Sequence, residues 1–186
     1  GKTSLLFQLA LNLASASTDS RVVFICHRKK IESNPPFLSQ GIDPSSDVFN
    51  RIQMNNQELL AAFHLHHVFD SPSAVIIDDF GDYFTQLNSV MSSPARDMAM
   101  VRTLALCHNA IVDAKKVFCE LVLSETNHGD YPRSLFIYKR WITKIFTIKG
   151  HGHGDGSFLL TSNGESEKSA KYSIALQYLI LEQIIV

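Results

Sequence analysis

The chain has 186 residues, 45% of them hydrophobic, and its 17 Lys and Arg against 18 Asp and Glu give a formal net charge of -1. That near-neutral charge excludes a chain that coats nucleic acid through a global basic excess, so any DNA contact must come from a local patch. The length predicts one domain over residues 1–186. Three widely spaced cysteines, Cys26, Cys107 and Cys119, predict buried reduced thiols and no zinc knuckle.

Helix and strand patterns alternate along the first two thirds of the chain. Continuous apolar runs, as at 22–26 and 74–77, suit strands covered on both faces. We predict helices over 4–15, 57–69 and 95–116, and strands over 22–26, 48–53, 74–77 and 117–123. This order is typical of βα units that build a parallel sheet.

Shorter elements are predicted beyond residue 126. We predict strands over 142–149, 157–161 and 172–186, although the last stretch has no Gly or Pro and could also form a helix. In the glycine-rich turn at 151–156, His151, His153 and Asp155 share one side at period two, as metal ligands would. The flanking glycines and the absence of a nearby Cys favour a surface hairpin tip instead.

The first residues, Gly1-Lys2-Thr3-Ser4, match the end of the phosphate-binding pattern G-x-x-x-x-G-K-[ST] and run into an apolar helix. In that pattern backbone N–H groups cradle the phosphates, the lysine reaches the outer phosphates, and the hydroxyl helps to hold Mg²⁺. We predict that Gly1, Lys2, Thr3 and Ser4 bind nucleotide and that Thr3 also contacts Mg²⁺. The strand and the first glycine of the pattern are missing from this sequence. Three matching positions also fit an ordinary helix start.

Asp78 follows the apolar run 74–77, at the separation from Lys2 that one or two βα units require. A carboxylate at a strand end suits Mg²⁺, which keeps several waters and takes one or two protein oxygens. We predict that Asp78 and Thr3 hold Mg²⁺; the alternative is that Asp78 or Asp79 caps the following turn. Because strand side chains alternate, we expect the side chain of Asp79 to point to the other side of the strand.

Polar residues also follow the predicted strand 117–123. Ser124, Glu125 and Thr126 are candidate sensors of the outer phosphate at the end of that strand. Strand-end polar residues are equally routine turn formers, so both interpretations stay open.

The succession of these motifs resembles the RecA-type recombinase ATPases. It is most similar to their SWIM-domain-associated paralogue branch, on GKTSLLF at 1–7, FICHRK at 24–29, IDP at 42–44 and VIIDDFGDYF at 75–84. The ordered motifs cover residues 1–126, and 141–186 fits the late strands of the same core more loosely. The resemblance implies a three-layer α/β RecA-like P-loop NTPase fold with a mostly parallel sheet, here without the N-terminal strand of the P-loop.

The resemblance also implies an ATP-binding subunit of a Shu-type complex, with ATP and Mg²⁺ as cofactors, acting in homologous-recombination DNA repair in the nucleus. Its implied partners are a SWIM-type zinc protein, a recombinase filament and single-stranded DNA, the last reached through the complex; no membrane is implied. Active recombinases place a Glu just after the second strand to polarise the attacking water, and the matching position here is Arg28. We therefore expect weak DNA-stimulated ATP hydrolysis at most.

Local basic runs are the candidates for DNA contact. The residues are Arg28, Lys29, Lys30, Arg133, Lys139 and Arg140. Lysine and arginine would contact phosphates, and the rings of Tyr138 and Trp141 would stack on bases. A solvated surface explains each run equally well. The family's DNA-facing loops, here 80–94 and 127–133, carry few basic residues, so we expect direct DNA binding to be weak or shared with a partner.

Two other function classes remain open. The first is a non-catalytic scaffold subunit that keeps the fold for assembly, and the second is a P-loop small-molecule phosphotransferase. The basic Arg28 favours the scaffold over the phosphotransferase, because a kinase would need a carboxylate there to orient the acceptor hydroxyl.

Overall fold

The computed structural model describes residues 1–55, 72–85, 92–113, 119–126, 135–150, 156–163 and 168–185. The helices of these ranges are α1 (Lys2–Ser15), α2 (Arg28–Ser33), α3 (Asp82–Thr85), α4 (Ser93–Asp113) and α5 (Leu135–Trp141). The strands are β1 (Val22–Ile25), β2 (Ile52–Asn55), β3 (Ala74–Ile77), β4 (Glu120–Leu123), β5 (Ile145–Gly150), β6 (Ser157–Asn163), β7 (Ser169–Ala175) and β8 (Tyr178–Ile185).

The first four strands form a parallel sheet in the order β2-β1-β3-β4. The two central strands, β1 and β3, are buried at every position, as their unbroken apolar sequences require. The register places Val22 beside Ala74, so the carboxyl ends of β1 and β3 lie level at one edge of the sheet. The structure thus confirms an α/β architecture with a parallel sheet, and the strand predictions at 22–26 and 74–77.

Helices cover both faces of this parallel sheet. On one face α1 packs its buried Leu6, Ala10 and Leu11 against alternate residues of β1 and β3, such as Phe24 and Ile76. On the other face the remaining residues of these strands pack against α4 and α5, with the side chains of Met100, Leu104, Cys107, Ile137 and Tyr138. The sheet therefore positions α1 on one side and α4 on the other, and both its central strands are shielded from solvent.

Several helix and strand boundaries in the structure differ from the predicted ones. Residues 47–51 form a 3₁₀ turn, Asp47–Arg51, and β2 begins only at Ile52, because the Ser46 hydroxyl accepts a hydrogen bond from the N–H of Val48 and starts a turn. The helix predicted over 95–116 is α4, which begins two residues earlier, and β4 begins at Glu120. The predicted helix 57–69, the end of α4 beyond 113 and the start of the strand at 117 lie outside the described residues.

The last four strands correct the expectation that 141–186 supplies late strands of the same core. They form a separate antiparallel sheet in the order β5-β6-β7-β8. The two-residue turn Leu176-Gln177, with φ values of 52° and 67°, joins β7 to β8, and a connection this short can join only antiparallel strands. The prediction of strands rather than a helix over 172–186 is confirmed for the described part of that range.

The segment around Leu38 connects α1 with the antiparallel sheet. The buried Ser4 hydroxyl accepts a hydrogen bond from the N–H of Phe37 at 3.0 Å, and the carbonyl oxygen of Leu38 accepts one from the N–H of Leu179 at 2.9 Å. At the start of α1, a Cβ added to Gly1 would lie 2.7 Å from the ring of Phe158. The antiparallel sheet therefore packs directly against the beginning of α1.

Two of the three cysteines are buried as predicted. Cys26 and Cys107 are buried, Cys119 is partly buried, and all three thiols are free. Burial raises the pKa of Cys26 to about 11 and that of Cys107 to about 12, so both stay protonated at neutral pH. Among the described helices, none is long and apolar enough to cross a membrane.

Candidate functional site

Polar residues converge where β1, β3 and β4 end and α1 begins. The N–H of Asp78 donates to the carbonyl of Ile25, and the N–H of Ser124 donates to the carbonyl of Ile77, each at 2.9 Å. These bonds continue the sheet ladder one residue past each strand, so Asp78 and Ser124 leave the sheet side by side. The carboxyl edge of an open parallel sheet is where such folds bind ligands.

Asp78 lies at the centre of this cluster, with its side chain 1% exposed. Its Oδ2 accepts a hydrogen bond from Thr3 Oγ1 at 2.8 Å, and its Oδ1 accepts one from Ser124 Oγ at 2.7 Å. Burial acts to raise the pKa of Asp78, but the charge of Lys2 and the two hydroxyl hydrogen bonds outweigh burial and lower that pKa. The structure thus unites the predicted residues Thr3, Asp78 and Ser124 around one ionised carboxylate.

Asp79 joins the same cluster, and the expectation that its side chain would point away is wrong. The strand ends at Ile77, and Asp79 takes a left-handed conformation with φ of 54°, so strand alternation no longer applies. Its N–H donates to Ser124 Oγ at 2.9 Å, and its Oδ1 accepts from Thr126 Oγ1 at 2.6 Å. Thr126, a predicted phosphate sensor, therefore holds Asp79 in the cluster.

Two lysines neutralise the two carboxylates. Lys2 Nζ pairs with Asp79, lies 3.4 Å from Asp78 Oδ1, and donates to Ser124 Oγ at 3.2 Å. Lys30 Nζ pairs with Asp79 and lies 3.4 Å from Asp78 Oδ2. Burial, only partly offset by Asp78, lowers the pKa of Lys2, and the neighbouring Lys30 charge acts in the same direction.

Lys30 was predicted as a DNA contact, and the structure instead places its ammonium in this cluster. Arg28, predicted at the position of the catalytic base, is exposed and pairs with Glu32 one helical turn along α2 at 2.7 Å. Lys29 is exposed. The basic side chain of this run that reaches the site is therefore Lys30 and not Arg28.

Glu125 was predicted with Ser124 and Thr126 as a candidate phosphate sensor, but its structural role was not foreseen. Its Oε2 accepts hydrogen bonds from the N–H of Gly81 at 2.9 Å and from the phenol of Tyr138. A Cβ added to Gly81 would lie 2.3 Å from Glu125 Oε1, so only glycine allows this approach. Tyr138, predicted as a base-stacking ring, is instead 9% exposed and packs in the core. Glu125 thus fastens α5 and the turn after Asp79 to the end of β4.

Replacing Tyr138 by Phe should cost about 1–2 kcal/mol of stability, because it removes a donor from the partly buried carboxylate of Glu125. Burial and the Glu125 charge raise the pKa of the Tyr138 phenol far above its ordinary value, so the hydroxyl is present as a donor throughout the neutral range. The measurement is urea unfolding. The control is Tyr178→Phe in β8, where the ring is 43% exposed; equal stabilities of the two variants would contradict the role of this hydrogen bond.

The other predicted site residues lie away from the carboxylates or are not described. Ser4 uses its hydroxyl on the backbone of Phe37. Lys139 and Arg140 are exposed in the last turn of α5. Arg133 lies outside the described residues, as do His151, His153 and Asp155. Within the ranges that the structure describes, no group of three or more His, Cys, Asp or Glu is arranged to hold a metal ion.

Comparison with known proteins adds no assignment. No family model matches the chain, and no curated protein sequence matches it.

Proposed function

We propose that the protein binds ATP at this site as a RecA-like recombinase-paralogue subunit and hydrolyses it weakly or not at all. The observation that carries the proposal is the meeting of Lys2 and Thr3, at the start of α1, with Asp78 and Ser124 at the ends of two neighbouring parallel strands. A helix N-terminus concentrates unpaired N–H groups and positive dipole at one point, which favours phosphate.

The residues present fit a Mg²⁺-nucleotide. Thr3 Oγ1 and Asp78 Oδ2 are hard oxygen donors only 2.8 Å apart, and Asp78 is held ionised. These two residues would hold Mg²⁺, which supplies charge neutralisation between phosphate oxygens when bound. Lys2 would turn from the carboxylates to the outer phosphates, and Ser124 lies within reach of Lys2 to orient it.

The pairing of the carboxylates in the site supports the proposal that hydrolysis is slow. A general base needs a free carboxylate within hydrogen-bond reach of the attacking water. In the described part of the site, Asp78 and Asp79 are both paired with lysines, and the carboxylate of Glu125 accepts hydrogen bonds from Gly81 and Tyr138. Each carboxylate therefore already has structural partners, which agrees with the expectation of weak DNA-stimulated turnover at most.

The biological setting of the proposal follows the resemblance. We propose that the protein acts in the nucleus with a SWIM-type zinc protein and promotes assembly of a recombinase filament in homologous-recombination repair. DNA affinity grows with the number of phosphates neutralised. Lys30 pairs with the buried carboxylates, whereas Arg28 forms only an exposed pair with Glu32. The described cations therefore offer few phosphate contacts, and single-stranded DNA is reached mainly through the complex, with Arg28, Lys29, Lys139 and Arg140 as exposed contributors.

Two alternatives are separated by nucleotide binding. A scaffold subunit that keeps this fold only for assembly would bind no ATP, and its polar cluster would be purely structural. A small-molecule phosphotransferase would bind ATP and also need a carboxylate to orient its acceptor. The engagement of Asp78, Asp79 and Glu125 favours an ATP-binding subunit over the phosphotransferase.

Lys2→Met should weaken ATP binding about 10- to 100-fold, since a charge-assisted hydrogen bond of about 1.5–3 kcal/mol to phosphate is lost. The measurement is a titration of the protein with a fluorescent ATP analogue. Lys168→Met removes the same charge from an exposed lysine before β7 and is the control, with affinity unchanged. Equal affinities of the two variants would reject the phosphate role of Lys2. If the wild type shows no measurable ATP binding, the non-catalytic scaffold is the remaining alternative.

A further inference from the structure

We propose that Lys30 is a built-in counter-ion that competes with the divalent cation at Asp78, so that nucleotide binding by this protein depends little on Mg²⁺. The inference rests on the proposed nucleotide site and concerns its regulation by metal. The charges of the cluster balance, because two buried carboxylates meet two ammonium groups from different helices, Lys2 from α1 and Lys30 from α2.

Nucleotide binding disturbs this balance. Lys2 has one ammonium, and turning it to the phosphates takes its charge from Asp78 and Asp79. Two unneutralised carboxylates beside a polyphosphate would repel it, because like charges a few ångströms apart in a partly buried site are poorly screened by water. A cation must therefore remain between the carboxylates and the phosphates, and a site without an internal cation must take a metal ion for that purpose.

Lys30 already supplies such a cation. Its ammonium pairs with Asp79 and lies 3.4 Å from Asp78 Oδ2, the same oxygen that accepts from Thr3 and would face the metal. An ammonium only donates hydrogen bonds and cannot coordinate a metal, so Mg²⁺ gains full access to Asp78 only when Lys30 withdraws. The ammonium and the metal are thus alternatives at one carboxylate oxygen.

The structure holds Lys30 at this place. Ile31 packs against the core beside α1, and the ring of His27, just before α2, stacks on Tyr83 with centroids 4.6 Å apart. The backbone of α2 is therefore fixed on both sides of Lys30. The lysine side chain itself is 39% exposed, which leaves it room to withdraw when a metal ion competes.

Lys30→Met tests the proposal by comparing the affinity for a fluorescent ATP analogue in MgCl₂ and in EDTA. We expect the wild type and the control Lys168→Met to differ less than about threefold between the two conditions, and Lys30→Met to bind at least about tenfold more tightly with Mg²⁺. Lys30→Arg keeps the charge and should behave as the wild type. Lys30→Gln keeps an N–H donor for folding and should behave as Lys30→Met, so it carries the test if the Met variant does not fold.

A second readout needs no nucleotide. The melting temperature of Lys30→Met should rise with added MgCl₂, because the metal replaces the missing ammonium, while that of the wild type and Lys168→Met should not. If the wild type binds nucleotide about tenfold more tightly with Mg²⁺, and Lys30→Met shows the same gain, Lys30 is not the counter-ion. The proposed function is kept in that case. If nothing binds nucleotide, the proposed function fails, and the melting temperatures alone decide whether Lys30 excludes Mg²⁺ from Asp78.

Discussion

Replacing Phe80 by Ala is expected to lower the free energy of unfolding by about 3–5 kcal/mol, the range for truncating a fully buried Phe. Phe80 is 0% exposed, with its ring centroid 5.1 Å from that of Phe84 and 6.1 Å from that of Tyr138. Its ring thereby links α3 and α5, in a cluster that also contains Val75 and Ile77 of β3. Such a loss is a large share of the roughly 5–15 kcal/mol that holds a domain folded.

The backbone of Phe80 also ties the core to the site. Its N–H donates to the carbonyl oxygen of Ser124 at 2.8 Å, directly after Asp79 in its left-handed conformation. A cavity at Phe80 should therefore loosen the turn that carries Asp78 and Asp79. We expect the Phe80→Ala variant to lose affinity for the ATP analogue as well as stability.

Urea unfolding followed by the fluorescence of Trp141 measures this effect, since Trp141 is the single tryptophan and packs against the same cluster. Phe136→Ala is the matched control, because that ring lies on α5 but is 67% exposed. Its cost should stay within about 0.5 kcal/mol. Similar costs for the two substitutions would show that Phe80 is not part of a packed core.

The sequence identifies the parallel strands well, because a strand buried on both faces needs an unbroken apolar run. Val22–Ile25 and Ala74–Ile77 have such runs, and the structure pairs them directly. In the antiparallel strands of 145–185, apolar and polar residues alternate only weakly. The sequence pattern alone therefore did not show that these strands form a separate sheet. Helix α5 was missed because its aromatic and basic residues fit a DNA-contacting run as well as a half-buried helix.

The site was partly predictable for a similar reason. Lys2, Thr3, Asp78 and Ser124 are placed by where helices and strands begin and end, which the sequence marks. The direction of the Asp79 side chain depends on the left-handed conformation of that one residue, and strand alternation predicts the opposite direction. Lys30 depends on how far a long side chain reaches from α2, and no periodicity encodes that distance.

Removing both lysines should destabilise the protein far more than removing either one. Each lysine contacts both Asp78 and Asp79, so a single Lys2→Met or Lys30→Met variant keeps one ammonium at the carboxylates. We expect each single substitution to cost about 1–2 kcal/mol. In the double variant two buried carboxylates lose every cationic partner that the structure shows, and breaking buried pairs in this way costs about 3–5 kcal/mol or more.

The double variant should also reverse the pH dependence of stability. In the wild type the pKa of Asp78 is lowered on folding, so its stabilising contribution is complete above the ordinary Asp pKa of about 3.9 and is lost as the pH falls through the lower folded value. Without Lys2 and Lys30 the burial of Asp78 dominates, and its folded pKa rises above the unfolded one. Stability should then increase as the pH is lowered from 7 towards 5, because the buried carboxylate of Asp78 takes up a proton.

Unfolding free energies of the wild type, the two single variants and the double variant at pH 7 and pH 5 measure the coupling. Adding Asp79→Asn to the double variant should recover part of the loss at pH 7, since Asn accepts the φ of 54° at that position and removes one buried charge. If the stability losses of the two single variants simply add in the double variant, and acidification does not stabilise it, then Asp78 and Asp79 are already solvated in the folded state. A cost that exceeds the sum and shrinks at pH 5 means that the two lysines act together as the counter-ions of one buried pair of carboxylates.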